Sequence, residues 1–173
     1  MIDYRIVPKE GFSIKIGELV SMLEHTREVT LTEISNLSQS DIDYLKEEND
    51  NTIGALLLHI ASIEAVHQVI SFENRDFNEQ ELRQWKTALE LGENARLEIK
   101  KETLDYYYSM LSKVRKDTLR QLKARDDQWL YEEKQWPNGT PYNNYYLWYH
   151  VMEDEINHRG QIRTIKRFLY NSR

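Results

Sequence analysis

Three prolines, Pro8, Pro137 and Pro141, are the only ones in this 173-residue chain. Proline removes a backbone donor and clashes with the preceding turn, so these positions mark where long helices cannot run. Between Pro8 and Pro137 nothing imposes that break, and the apolar residues recur at spacings of three and four rather than two. The spacing predicts an all-α chain. Four long helices are expected. The first runs from about Ser13, a plausible N-cap, to about Asn36, with Ile16, Leu19, Val20 and Leu23 on its early apolar face. The second runs from about Asn51 or Thr52 to Phe72, the third from about Glu102 to Arg125, and the fourth from about Asn143 to Tyr170.

The connections differ in kind. "SQSDIDYLKEENDN" is a polar link into the second helix, and residues 73–101 form a long crossover carrying one short helix around "NEQELRQWKTALELG". "WPNGTPY" reads as a turn-forming breaker, and no period-two alternation persists long enough to predict a sheet. Four long helices with one long crossover, between the second and third, describe a four-helix bundle, whose ligand sites project inward from facing helices. The length suits one domain over residues 1–173.

Within this frame two stripes carry ionisable groups where core residues belong. On the fourth helix Leu147, Val151, Asp154, His158, Ile162, Ile165 and Leu169 share one side at about 100° per residue. On the second, Leu56, His59, Ile63, Val66 and Ile70 do the same. An unpaired carboxylate on such a face costs several kcal/mol, so Asp154 needs a counter-ion, a hydrogen-bond network or a metal ion. Asp154 and His158, four residues apart, lie about 6 Å apart along the helix and can reach one ion. His150 and His158, eight apart, are separated by about 12 Å and cannot easily share one; the same arithmetic makes His59 and His67 alternatives. The Asp154–His158 spacing also suits an ordinary i, i+4 pair that needs no metal. Glu155 and Arg159 read as a solvated or inter-helix salt bridge, and Gly160 as a site of close helix packing. The tyrosines at 106–108 and along 142–149 read as core and edge packing, and His25 and His67 as surface or structural residues.

Composition removes several function classes. A net charge of −6 offers no positive field for phosphate backbones, so nucleic acid is not an expected partner. With no cysteine, a disulfide framework, a thiolate metal site and a cysteine nucleophile are all excluded. The start lacks a signal-peptide pattern and no 18-residue apolar run stands out, so a cytoplasmic protein with no membrane partner is expected.

"NTIGALLLHIASIE" (Asn51–Glu64) followed by "NNYYLWYHVMEDEINHRGQIRTIKRFL" (Asn143–Leu169) resembles the DinB-like family of bacterial metal-binding four-helix bundles. The resemblance rests on "NTIGxLLxH" in the second helix and "HRGQI" in the fourth. It implies a divalent metal held by one side chain of the second helix and two of the fourth, usually three histidines. Carried onto this chain, these are His59, Asp154 and His158, with aspartate in the middle place. Zinc or nickel is the expected ion, with manganese or iron admitted because a carboxylate hardens the ligand set. The family includes metal-dependent transferases and isomerases that use small bacterial thiols such as mycothiol or bacillithiol. The expected function is therefore a metal-dependent low-molecular-weight thiol S-transferase or a related hydrolase, with a small-molecule thiol and an electrophile as partners. His150, one turn before Asp154, is the only nearby extra base and the candidate catalytic group. The rival reading is a non-enzymatic, stress-associated bundle whose metal stabilises the fold or a homodimer.

Overall fold

The computed structural model describes residues 2–171; residues 1, 172 and 173 of the expected domain lie outside it. Four long helices form a bundle: α1 (Ile14–Ile34), α3 (Ile53–Gln68), α6 (Leu104–Leu122) and α7 (Asn144–Asn171). Helix α3 packs against both α6 and α7, and α1 packs chiefly against α7. The polar link contains one helical turn, α2 (Gln39–Ile42), and the crossover holds two helices rather than one, α4 (Glu79–Glu90) and α5 (Gly92–Glu98). Leu91, at φ 54° and ψ −146°, separates them. Such backbone is costly for a residue with a side chain, so the break is imposed by packing and is invisible to propensity.

The residues flanking each helix explain its limits. The Thr52 hydroxyl accepts from the Ala55 amide and opens α3. Thr103 does the same for α6 through Tyr106. Ser13 precedes α1 but its side chain caps nothing; it donates instead to Asp127, whose carboxylate accepts the amides of Lys15 and Ile16. The cap of α1 is thus supplied from a 3₁₀ turn (Asp127–Tyr131) far along the chain. Helix α3 runs on into a π-helical turn, Val69–Glu73, and Lys134 donates to the carbonyl of Ser71 there and to the Asn144 side chain. Lys134 lies on a short hairpin, β1 (Glu133–Gln135) pairing antiparallel with β2 (Pro141–Asn143). The expectation of no sheet is corrected here. "WPNGT" is the hairpin turn, with Trp136 stacked on Tyr142 at 4.1 Å between ring centroids. Three-residue strands are too short to show alternation.

A second correction concerns α3. Together with the π turn it spans Ile53–Glu73 and is long and apolar enough to cross a membrane by length and composition, and most of it is buried inside the molecule. Packing against α4, α6 and α7 explains this: a helix covered on most sides is apolar on most sides.

The centre of the bundle is not purely apolar. Arg27 of α1, Glu64 of α3, Arg115 of α6 and Glu155 of α7, one residue from each long helix, form a buried network. Glu64 accepts from Arg115 Nε at 2.7 Å, from Thr118 at 2.7 Å and from Arg27 at 2.8 Å. Glu155 accepts from Arg27 Nε at 3.0 Å. Arg27 also donates to the carbonyl of Leu111 on α6, and Arg115 donates to that of Leu23 on α1. Each arginine therefore straps its own helix to the backbone of the other. Burial opposes the charge on Glu64, but Arg115 and Arg27 outweigh it and bring its pKa down to about 2. Two cations and two carboxylates cancel in a space that would tolerate none of them alone.

This network corrects the reading of Glu155 and Arg159 as a pair. Glu155 points into the bundle, and Arg159 donates to the Thr26 carbonyl at 3.0 Å. Gly160 is likewise not a packing position, since a Cβ there would meet nothing within 4 Å. Gly54 is one: a Cβ would press on the Tyr107 hydroxyl and lie 2.9 Å from its Cζ carbon.

Candidate metal centre

His59 lies on α3, and Asp154 and His158 lie one turn apart on α7. The antiparallel α3–α7 contact brings them together, with one potential ligand atom from each within 4.8 Å of the others. Asp154 Oδ1 is 3.3 Å from His158 Nε2 and 3.7 Å from His59 Nε2. The two imidazole rings stand edge to face, 4.6 Å apart between centroids. The other carboxylate oxygen, Asp154 Oδ2, is buried without a hydrogen-bond partner, and so is His158 Nδ1. Such orphans are expensive in a purely structural pair. The donor set, two imidazoles with Asp154 Oδ1 close to both and the second carboxylate oxygen unsatisfied, fits a divalent cation.

One hydrogen bond decides how His59 is presented. Its Nδ1 lies 2.9 Å from the main-chain carbonyl of Ala88, in the last turn of α4. A carbonyl can only accept, so Nδ1 carries the proton and Nε2 keeps the lone pair that faces Asp154. The last carbonyls of a helix lack intrahelical partners, so α4 provides this acceptor at no cost to its own ladder. This contact is not legible in the sequence because it uses backbone; no side-chain pattern marks Ala88.

The electrostatics follow from proximity. Burial alone would lower the pKa of His59, but the contacts with Asp154 and the Ala88 carbonyl outweigh it and the pKa is raised. Burial alone would raise that of Asp154, and the two histidines hold it well below the usual carboxylate range instead. The carboxylate is therefore ionised at any physiological pH.

His150 stands apart from these three. Its Nδ1 is 3.3 Å from Glu153, and its ring lies 5.4 Å from that of His67 between centroids. His67, read from sequence as surface or structural, is buried, and desolvation brings its pKa down to about 4. A groove of about 860 Å³ runs between the N-terminal segment, α1 and α7. Ile6, Met22, Tyr149, Met152 and Ile156 make it largely apolar; it reaches His150 and Asp154 but neither His59 nor His158.

The family model for mycothiol S-transferase matches residues 18–169, nearly the whole chain. The chain belongs to that family. This is one of the DinB-like families, in keeping with the resemblance carried by the α3 and α7 motifs. No curated protein matches. Among solved structures, the chain is similar to an uncharacterised protein from Clostridium difficile 630, with 16% identity, a TM-score of 0.67, and 88% of this chain covering 95% of that one. It is equally similar to a protein from Streptococcus pneumoniae, again with 16% identity and a TM-score of 0.67, over 88% of this chain and 90% of that one. At this identity the likeness shows the fold.

Proposed function

We propose that this protein is a divalent-metal-dependent S-transferase acting on a low-molecular-weight thiol, with mycothiol as the first candidate. The single observation that carries the reading is the His59–Asp154–His158 cluster, in which Asp154 Oδ1 lies 3.3 Å from His158 Nε2 and 3.7 Å from His59 Nε2, in a chain of the mycothiol S-transferase family. Zinc or nickel suits two imidazoles, and the carboxylate admits manganese or iron. A metal held by these three residues would keep a coordination position for substrate, as catalytic sites do. A divalent ion there supplies the positive charge that keeps a bound thiol as thiolate near neutral pH.

The chain's own residues set the conditions for that chemistry. With no cysteine in the chain, the sulfur nucleophile has to come from the substrate. His59 and His158 would contribute as neutral imidazoles and Asp154 as one negative charge, so a divalent ion held by them would leave the cluster at +1, a charge that one thiolate would neutralise. Neutrality is favoured because the cluster is largely buried. The Ala88 carbonyl holds His59 in one tautomer, and the i, i+4 spacing fixes Asp154 against His158. The largely apolar groove beside Asp154 offers an apolar electrophile a surface to lie against.

The test is conjugation of mycothiol, and of bacillithiol in parallel, to an activated aryl halide, followed by mass spectrometry with metal-stripped and reconstituted protein. Conjugation that tracks metal occupancy and is lost in His158→Ala supports the reading. Absence of metal-dependent conjugation with either thiol would leave a related hydrolase or a non-enzymatic metal-binding bundle ahead.

A further inference from the structure

The α3–α7 contact that joins His59 to His158 joins a second pair of histidines. His67 is eight residues after His59, and His150 is eight before His158. In an antiparallel pair of helices these offsets bring His67 and His150 together about 12 Å along the bundle from His59 and His158, and one turn, about 6 Å, from Asp154. Their ring centroids lie 5.4 Å apart with the planes tilted by 50°. That separation is of the order two imidazoles need to share an ion at about 2 Å from each nitrogen.

The hydrogen bonds choose which nitrogen is free. His67 Nδ1 is 2.7 Å from the Ile63 carbonyl, which can only accept, so the proton is on Nδ1 and the lone pair on Nε2. His150 Nδ1 is 3.3 Å from Glu153 Oε2, and an ionised carboxylate likewise only accepts. The same tautomer follows for His150. Both rings thus present an Nε2 lone pair, each with its Nδ1 proton held by an oxygen. Carbonyl–histidine and carboxylate–histidine pairs of this kind hold imidazoles as metal ligands. His59 with Ala88 repeats the arrangement. There is also a way in, because His150 lines the groove between α1 and α7.

We infer that His67 and His150 form a second transition-metal site, two imidazole ligands bridging α3 and α7, with Glu153 orienting His150 from outside. The ligand is a borderline divalent ion of the kind imidazole suits, Zn²⁺, Ni²⁺ or Cu²⁺, with its remaining positions open to water or to a small molecule in the groove. With two protein ligands against three, it is the weaker of the two sites. It shares no residue with His59, Asp154 and His158, so either site can exist without the other.

The experiment is calorimetric titration of the metal-free full chain with Zn²⁺, alongside imidazole ¹⁵N spectra of the histidines. The expected result is two equivalents for the parent protein, a tighter and a weaker one, with the Nε2 resonances of His67 and His150 moving during the weaker step. His150→Gln, at a half-exposed position, removes only the weaker step. The double variant His59→Ala with His158→Ala keeps it. Zinc uptake that leaves the His67 and His150 resonances unmoved overturns the inference, as does a second equivalent that persists in His150→Gln. One equivalent that disappears in His150→Gln supports this site and sinks the three-residue one. The spectra are read on the parent protein, so they discriminate these outcomes even if the double variant does not fold.

Discussion

His59 and Ala88 meet across the crossover: the imidazole Nδ1 proton is held by the Ala88 carbonyl at 2.9 Å, so a helix outside the four-helix bundle sets the tautomer of a residue inside it. Loss of an outer partner of this kind typically costs roughly 10–100-fold in metal affinity. Removing a proposed ligand should cost more. Zinc affinity of Asp154→Asn, measured by competition with a chromophoric chelator, is expected to fall by more than about 100-fold while helicity is unchanged. An unchanged affinity would show that Asp154 pairs with the histidines without a metal.

Proton competition gives an independent check. His59 has a raised pKa in the metal-free protein, so its proton adds stability that is full below the unfolded value and is lost as pH rises through the folded value. A metal ion must displace that proton. Zinc affinity should therefore rise with pH from mildly acidic conditions to above neutrality and then level off, with proton release seen as a buffer-dependent binding heat. A profile flat across that range would argue against histidine ligands.

Glu64 links the buried network to acid stability. Its folded pKa, brought down to about 2, lies below its ordinary value of 4.5, so its contribution is present above about 4.5 and is lost as pH falls toward about 2. The urea midpoint should drop across that window in the parent and drop less in Glu64→Gln. At neutral pH the substitution should cost about 3–5 kcal/mol, because Arg27 and Arg115 lose their shared carboxylate while still buried. A cost below about 1 kcal/mol at neutral pH would mean that the arginines find other partners.

Two helical glycines, Gly54 and Gly160, should respond with opposite signs. Gly54→Ala drives a methyl into the Tyr107 ring and should destabilise by about 1–3 kcal/mol. Gly160→Ala enters open space and should stabilise by up to about 1 kcal/mol through helix propensity alone. Thermal unfolding of the two variants beside the parent decides it; equal shifts would contradict the packing described for Gly54.

The bundle was legible from residue order alone; spacing left His59 and His67 as alternatives, and it was the family resemblance that chose His59, Asp154 and His158 as candidate ligands. Apolar residues at helical spacing, interrupted only by polar connections and prolines, leave few ways to bury a core, and a histidine or aspartate in such a stripe is conspicuous because burial penalises it. The four helices appear within a few residues of their expected limits, and Leu147, Val151, His158, Ile162, Ile165 and Leu169 are buried as their stripe requires. Glu64 could also have been noticed, as the one acidic residue inside the most apolar segment of the chain. Relations between residues far apart were settled only when the helices packed. Arg27, Arg115 and Glu155 look like surface charges until four helices converge, and Glu155 has a nearer arginine, Arg159, that it does not use. Gly54 and Gly160 cannot be told apart by propensity; a neighbouring Tyr107 distinguishes them. The break at Leu91, the Asp127 cap of α1 and the Ala88 carbonyl beside His59 depend on backbone brought close by packing. Periodicity reports which face of a helix is buried, and the partner across that face is set by how the helices are placed in three dimensions.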